Sequence, residues 1–391
     1  MPIPPRSTRL LSAVLVAGGV ALTAVEAPAA ASLAARLAPV LAFVAALSVV
    51  VNIASQLGVF HVVARGIDRL TPSACGSAVA AGWVVVLTAA ATIFLSLDTA
   101  ALLVTPLAVL VARRHRLPVL PMALAVVWVA NIGSLLLPVS NLTNLLAEGG
   151  GYFSSTADFF TQAHRVGFAV LAVALVAVGA AFAASRGRVS SGASMSGAAI
   201  SRASSRSARW ALVVLAVLIP ALFLPVPYWV PAGAAAGLMA LVCWAGGPDE
   251  RQALRWSLIP WNSLLLTAAM SVLATLAITL VGAEHLRALI PATGGARLFA
   301  VGGLGAVSAN VLNNLPAYFL MEPAAEDVRG GLALLVGVNA GAIVTPWASL
   351  ATLLWHDQLA RSGVTVRWSS YVMYGLMLAP FAVGLPIAAL V

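Results

Sequence analysis

The side chains best able to do chemistry in this sequence stand inside its apolar runs. Residues 131–146 read NIGSLLLPVSNLTNLL and residues 339–354 read NAGAIVTPWASLATLL. They align without a gap at an offset of 208 positions, sharing Asn131/Asn339, Gly133/Gly341, Pro138/Pro346 and three leucines. Gly and Pro interrupt the ladder of backbone hydrogen bonds, and an unpaired peptide group in hydrocarbon is costly, so such a break persists only where it lines a cavity. The unwound segments are expected at 129–141 and 338–349. They would present carbonyls and half-helix ends, with Asn131, Ser134, Ser140, Asn141, Thr143 and Asn144 from the first copy and Asn339, Thr345, Ser349 and Thr352 from the second as neutral donors and acceptors.

Two further interruptions should face these breaks. LDTAALLVTP (97–106) carries Asp98 and Thr99 in the middle of an apolar run, and VLNNLP (311–316) carries Asn313 and Asn314 in another. Asp98 is the one acid that the topology below leaves inside the membrane. An intramembrane carboxylate is costly and by default functional, and withdrawal from water favours its neutral form, which makes Asp98 the candidate for proton coupling. The alternative is a helix cap satisfied by backbone N–H groups at the turn. No arginine falls in either break or turn, so a doubly charged anion would meet Asp98 and no fixed cation. A neutral polyhydroxyl solute fits better, exchanging water for Asn, Ser, Thr and carbonyl partners without burying net charge.

The elements that must position these residues follow from composition. The chain has 391 residues, 61% hydrophobic and 8% charged, and its apolar runs of about twenty residues are those of a polytopic helical membrane protein. The stretch 186–209, made of Ser, Gly, Ala and Arg without apolar periodicity, reads as a flexible cytoplasmic linker. It separates a first membrane repeat with an N-terminal helix (1–185) from a second, inverted one (210–391). Arg6 and Arg9, an apolar run and APAAA have the outline of a secretory leader. Cleaved or retained, the next span would start outside and run inward.

Segments 76–112 and 290–321 are too long for one crossing and are read as hairpins that return to the side they entered from. Sixteen of the 21 basic residues, all of them arginine, then fall on the N-terminal side, and Arg36, Arg165, Arg287, Arg297 and Arg329 on the other. Positive loops stay in the cytoplasm, so the N-terminus is expected there and the protein in the plasma membrane. The fold class is thus an all-α polytopic membrane protein of two inverted-topology repeats, each with a re-entrant hairpin and a discontinuous transmembrane helix. That arrangement is the signature of alternating access around a midplane site. The net charge of +9 is explained by loop topology and not by nucleic acid. Cys75 and Cys243 form no CxxC and the histidines do not cluster, so neither a disulfide framework, a metal site nor a cofactor is expected. An intramembrane enzyme would need a Ser/His or Asp/Asp pair or HExxH in a span, and none is present.

SLDTAALLVTP, ANIGSLLLPVSNLTNLL, NVLNNLPA and TPWASLATLLW, in this order and spacing, resemble the arsenite permease family of ArsB type within the wider ion transporter superfamily. The resemblance implies export of trivalent arsenite and antimonite, as neutral hydroxides, in exchange for protons. It also implies a similar fold, and a site lined by Asp98, Thr99, Asn313, Asn314, Asn141, Thr143 and Asn144. Some systems of the family work with a cytoplasmic ATPase subunit; the sequence leaves that partner and a homodimer open. The first hairpin has LD where many relatives have ND, and position 349 is Ser where they have Asn. A sodium-coupled carboxylate transporter or sodium/proton antiporter of the same superfamily is the alternative. The absence of paired SNT hairpin tips counts against its carboxylate form.

Overall fold

The computed structural model describes residues 6–71, 76–185, 205–222, 224, 226–252 and 254–391. Most of the expected linker and Cys75 lie outside them. Regular structure among the described residues is entirely helical.

The chain opens with α1 (Arg6–Val25) and α2 (Ala27–Gln56), separated by Glu26 alone, with a proline in the first turn of α2. At 30 residues, α2 is about 45 Å long at 1.5 Å per residue. That exceeds the roughly 30 Å of hydrocarbon, so it must lean or project. The amphipathic α3 (Val59–Leu70) buries Val59, Ala64 and Ile67 and turns Arg65 and Arg69 away. α4 (Gly76–Phe94) and α5 (Leu97–Arg114) form a first hairpin, and α3 packs against both of its arms. The hairpin therefore returns to the end it left.

Next comes an interrupted helix: α6 (Val119–Ile132), a non-helical stretch holding one 3-10 turn at Pro138–Ser140, and α7 (Leu142–Gly149). It is followed by α8 (Thr156–Ala184), α9 (Ser205–Ala221), α10 (Trp229–Ala245), the short α11 (Pro248–Arg251), α12 (Trp261–Val281) and α13 (Ala283–Ala288). α14 (Gly294–Leu312) and α15 (Asn314–Met321) make a second hairpin. Arg297 near its start binds Asp327, just past its end, at 3.0 Å, so this hairpin also comes back to where it began. A second interrupted helix is built from α16 (Val328–Leu335), a π turn at Val336–Ala340, a break and α17 (Leu350–Arg361); α18 (Trp368–Ala388) closes the described chain.

Burial sorts these helices into two kinds. α1, α2, α4, α8, α12, α14 and α18 are long and apolar enough to cross a membrane, and several expose large apolar side chains such as Phe168, Val176, Val307 and Phe381. The interrupted helices are enclosed instead. Pro121 to Ile132 of α6 and Gly330 to Leu335 of α16 are buried throughout. Broken backbone is tolerated at membrane depth only when protein surrounds it, and continuous helices meet lipid without an unpaired peptide group.

Close packing around the second interrupted helix relies on glycine. A Cβ on Gly337 would run into the backbone of Gly302 in α14, and one on Gly375 into the backbone of Ile343. Only bare backbones can approach so nearly.

Polar contacts gather at two ends. At one, Arg36 of α2 makes a bidentate pair with Glu322 at 2.8 and 2.9 Å, Tyr152 donates to the Glu322 carbonyl, and Arg287 and Arg297 meet Glu326. At the other, Arg113 donates to the Ser362 carbonyl, Arg361 to that of Ser257, and Thr8 to Asn262.

Candidate functional site

The two hairpins turn on the same device. Ser96 (φ 151°) and Asn313 (φ 115°) occupy a backbone region that is almost restricted to glycine. A glycine would relieve the strain but could not cap the returning helix, and both side chains do so. The Ser96 hydroxyl accepts the Thr99 N–H at 3.1 Å and pairs with the Thr99 hydroxyl at 2.9 Å. Asn313 Oδ1 accepts the Leu315 N–H at 3.4 Å. Asp98 sits in the first turn of α5 and is 1% exposed, with Oδ1 lacking any partner among the described residues. The cap is therefore Ser96 and not Asp98, which removes the alternative role open to Asp98 in the sequence.

The first break is fastened by its own residues. α6 runs to Ile132 with Gly133 as its cap, later than the sequence suggests, because Asn131 is still helical and its Nδ2 donates to the Val127 carbonyl at 2.9 Å. The Ser134 hydroxyl donates to the Asn131 carbonyl at 3.0 Å, and Asn141 Nδ2 donates to that hydroxyl at 3.0 Å. Asn144 Nδ2 reaches the carbonyls of Ser134 and Leu137 and the Ser140 hydroxyl at 2.9–3.2 Å. Asn141 Oδ1 caps α7 through the Thr143 N–H at 3.2 Å.

The second break is fastened from outside itself, by the apex of the second hairpin. Asn310 Oδ1 accepts the N–H groups of Val344 and Thr345 at 3.0 and 2.9 Å while its Nδ2 donates to the Gly341 carbonyl at 2.8 Å. The Thr345 hydroxyl donates to the Asn310 carbonyl at 2.7 Å, Asn313 Nδ2 to the Trp347 carbonyl at 2.8 Å, and the Asn314 N–H to the Ala348 carbonyl at 2.7 Å. Here the helix runs to Ala340, with Gly341 as its cap, through the π turn that holds Asn339.

Three hydrogen bonds join the breaks to each other, two of them a matched pair. Asn339 Nδ2 donates to Asn144 Oδ1 at 2.9 Å, and Asn131 Nδ2 approaches the Thr352 hydroxyl at 3.5 Å. The 208-residue offset carries Asn131 onto Asn339 and Asn144 onto Thr352, so each bond is the other with the copies exchanged. A two-fold relation gives such reciprocal contacts. The Thr143 hydroxyl adds a bond to Asn339 Oδ1 at 2.6 Å.

Against this frame the sequence finds its family. The profile of the citrate transporter family (CitMHS) matches residues 6–351. The chain belongs to this family. It is also 27% identical over 348 residues to the arsenical pump membrane protein of Yersinia enterocolitica, covering 79% of this chain and 76% of that one. The proteins of the same name from Escherichia coli K12 and Shigella flexneri are 25% identical over 340 residues, with the same coverage. A member of the citrate transporter family built in this way is a membrane transporter and not an enzyme.

Within this transporter the sequence candidates fall into three groups. Asn131, Ser140, Asn141, Thr143, Asn144 and Asn339 form a central polar cluster around the first break. Asn313, Asn314, Thr345 and Ser349 lie where the second hairpin meets the second break. Asp98 and Thr99 stand at the N-terminus of α5, which packs along α6 and α17. Apart from the half-buried Thr345, all of these are buried, with no more than 3% exposure, so the site is closed to solvent. Two cavities lie outside these groups, one of about 250 Å³ against α7, lined by Leu142, Leu145 and Leu146, and one of about 1090 Å³ between α9 and α10.

Most candidate side chains satisfy one another, but a few polar atoms do not. Asp98 Oδ1, Asn131 Oδ1, Asn314 Oδ1 and Ser349 Oγ are buried without a partner among the described residues. Each such atom costs about 1–3 kcal/mol. Sequence reasoning missed Asn310 and Ser96. Asn310 lay in view in NVLNNLPA, a polar residue three positions before the apex of an apolar hairpin.

Proposed function

We propose that this protein is a secondary active transporter that exports arsenite and antimonite, as neutral trivalent hydroxides, in exchange for protons. The observation that carries the reading is the set of unpartnered buried oxygens. Asn131 Nδ2 already donates to the Val127 carbonyl, so what Asn131 offers the site is an acceptor. An ionised Asp98 also offers acceptors only. A solute that brings hydroxyl donors satisfies both. A carboxylate would bring further acceptors to Asn131 and Asp98, and the arginines whose contacts are named above sit at the two ends of the molecule. The names of the arsenical pump relatives point the same way.

Asp98 is the proton-coupling group in this reading. It is a buried carboxyl group at a turn beside two broken helices, where a proton can be exchanged for a solute hydrogen bond. Inverted repeats supply the alternation: the reciprocal Asn131–Thr352 and Asn339–Asn144 contacts fit a two-fold axis between the breaks. Segments that the arginine distribution assigns to one side of the membrane meet at one end of the molecule. Those holding Arg36, Arg287 and Arg297 meet at the other. The N-terminus is then cytoplasmic and the membrane the plasma membrane.

Uptake of labelled arsenite into everted vesicles, with and without an acid-inside gradient and beside citrate and sodium, tests this. Arsenite should accumulate with the gradient and not without it. Accumulation of citrate or sodium instead would reject the substrate and leave the fold in place.

A further inference from the structure

The two breaks share a sequence frame but not the side chains that hold it. Where the first has Ser134, Asn141 and Asn144, the second has Ala342, Ser349 and Thr352. The long amide that reaches back to the carbonyls of the first break therefore has no counterpart in the second. Yet the second break has the same problem, with peptide groups left over where the helix stops.

Asn310 fills the gap from the neighbouring element. Its amide is fully used: Nδ2 donates to the carbonyls of Ala306 and Gly341, both at 2.8 Å, and Oδ1 accepts from Val344 and Thr345. Two donors and two lone pairs are the whole capacity of an asparagine side chain. Its own carbonyl, near the end of α14, is satisfied by the Thr345 hydroxyl. The indole of Trp347 adds a bond to the Val311 carbonyl at 3.2 Å. Immediately beyond this seam lie Asn314 Oδ1 and Ser349 Oγ, both without partners.

We propose that Asn310 is a positioning residue of the transport site. It supplies the amide that the second break lacks and fastens hairpin and break into one body. Asn314 and Ser349 thereby keep a fixed spacing as solute binds and crosses. Asn310 does not touch solute. The polar side chains at the first hairpin's apex, Ser96 and Thr99, pair with each other instead, so the fastening belongs to the second hairpin. The inference rests on the transport reading for its consequence but not for its geometry.

Two variants and two readouts test it. In everted vesicles Asn310→Ala should raise the arsenite KM about tenfold, with the maximal rate within about threefold, because preorganisation of binding groups is lost while the chemistry of coupling is not. Asn310→Asp keeps the acceptors for Val344 and Thr345 and should raise KM by only about two- to threefold. Amide exchange of the purified protein in lipid nanodiscs supplies the second readout. Protection of Val344 and Thr345 should fall at least about tenfold in the alanine variant and persist in the aspartate one, with Thr143 unchanged in both. Wild-type KM and protection in the alanine variant would overturn the proposal, as would loss of rate at unchanged KM in both variants. If the alanine variant does not fold, the aspartate variant decides: exposed amides with a KM raised tenfold or more would overturn it. If the wild type accumulates no arsenite, the substrate reading fails, and the exchange measurement alone decides the role of Asn310.

Discussion

The two interrupted helices solve one physical problem in opposite ways. The first closes its loose peptide groups with its own Ser134, Asn141 and Asn144; the second borrows Asn310 from a hairpin. A self-fastened break can keep its shape while the hairpin beside it moves. A borrowed fastening ties break and hairpin together. The acid of the site stands on the first hairpin, whose apex is capped by its own serine, and not on the second, whose apex is sewn to its break. The fastening of hairpin to break is thus confined to the second half of the molecule.

The largest effect is expected at Asp98. Asp98→Asn should abolish proton-driven arsenite accumulation, a loss of at least about a hundredfold, with normal amounts of folded protein in the membrane. Coupled rates like those of the wild type would remove the proton from the first hairpin. Next in size is Asn144→Ala, which strips the amide that closes the first break together with its bond to Asn339. It should lower the midpoint of thermal unfolding by several degrees and transport with it, each buried bond being worth about 1 kcal/mol. Thr352→Ala, at the matching place in the second break, should shift the midpoint far less; equal shifts would show that the breaks are held alike. Asn141→Ala should weaken transport a few-fold without loss of expression, since it removes one cap and one bond to Ser134. The smallest effect sharpens the ligand argument. Ser349→Ala deletes a buried hydroxyl without a partner, so stability should hold or rise slightly, by up to about 1 kcal/mol, while the arsenite KM increases. A clear loss of stability would mean the hydroxyl serves the fold.

Much of this architecture is legible in the sequence because its signals are local. Gly133, Pro138, Gly341 and Pro346 in apolar runs announce helix breaks, and Asn313–Asn314 and Asp98–Thr99 announce turns, since polar residues at that depth need a reason. The exact ends of the breaks are less legible. Asn131 and Asn339 look like break residues but are still helical, each in its last turn, because a side-chain amide can bond within a helix as readily as beyond it. Asn310 escapes for a different reason. Its importance lies in what Ala342 and Thr352 fail to do on a distant segment, and no pattern around position 310 carries that information. Asp98 is conspicuous in sequence, but only the structure separates it from the capping role, by giving the cap to Ser96.

The π turn at Val336–Ala340 has a consequence for heredity. It holds one residue more than a regular turn, and Asn339, which donates to Asn144, stands within it. Loss of a single codon between 336 and 340 would let the helix close into its ordinary form and take away the bulge from which Asn339 leaves it. A deletion there, even of a valine, should be as damaging as many substitutions in the site itself. At this point the gene must conserve a count as well as an alphabet.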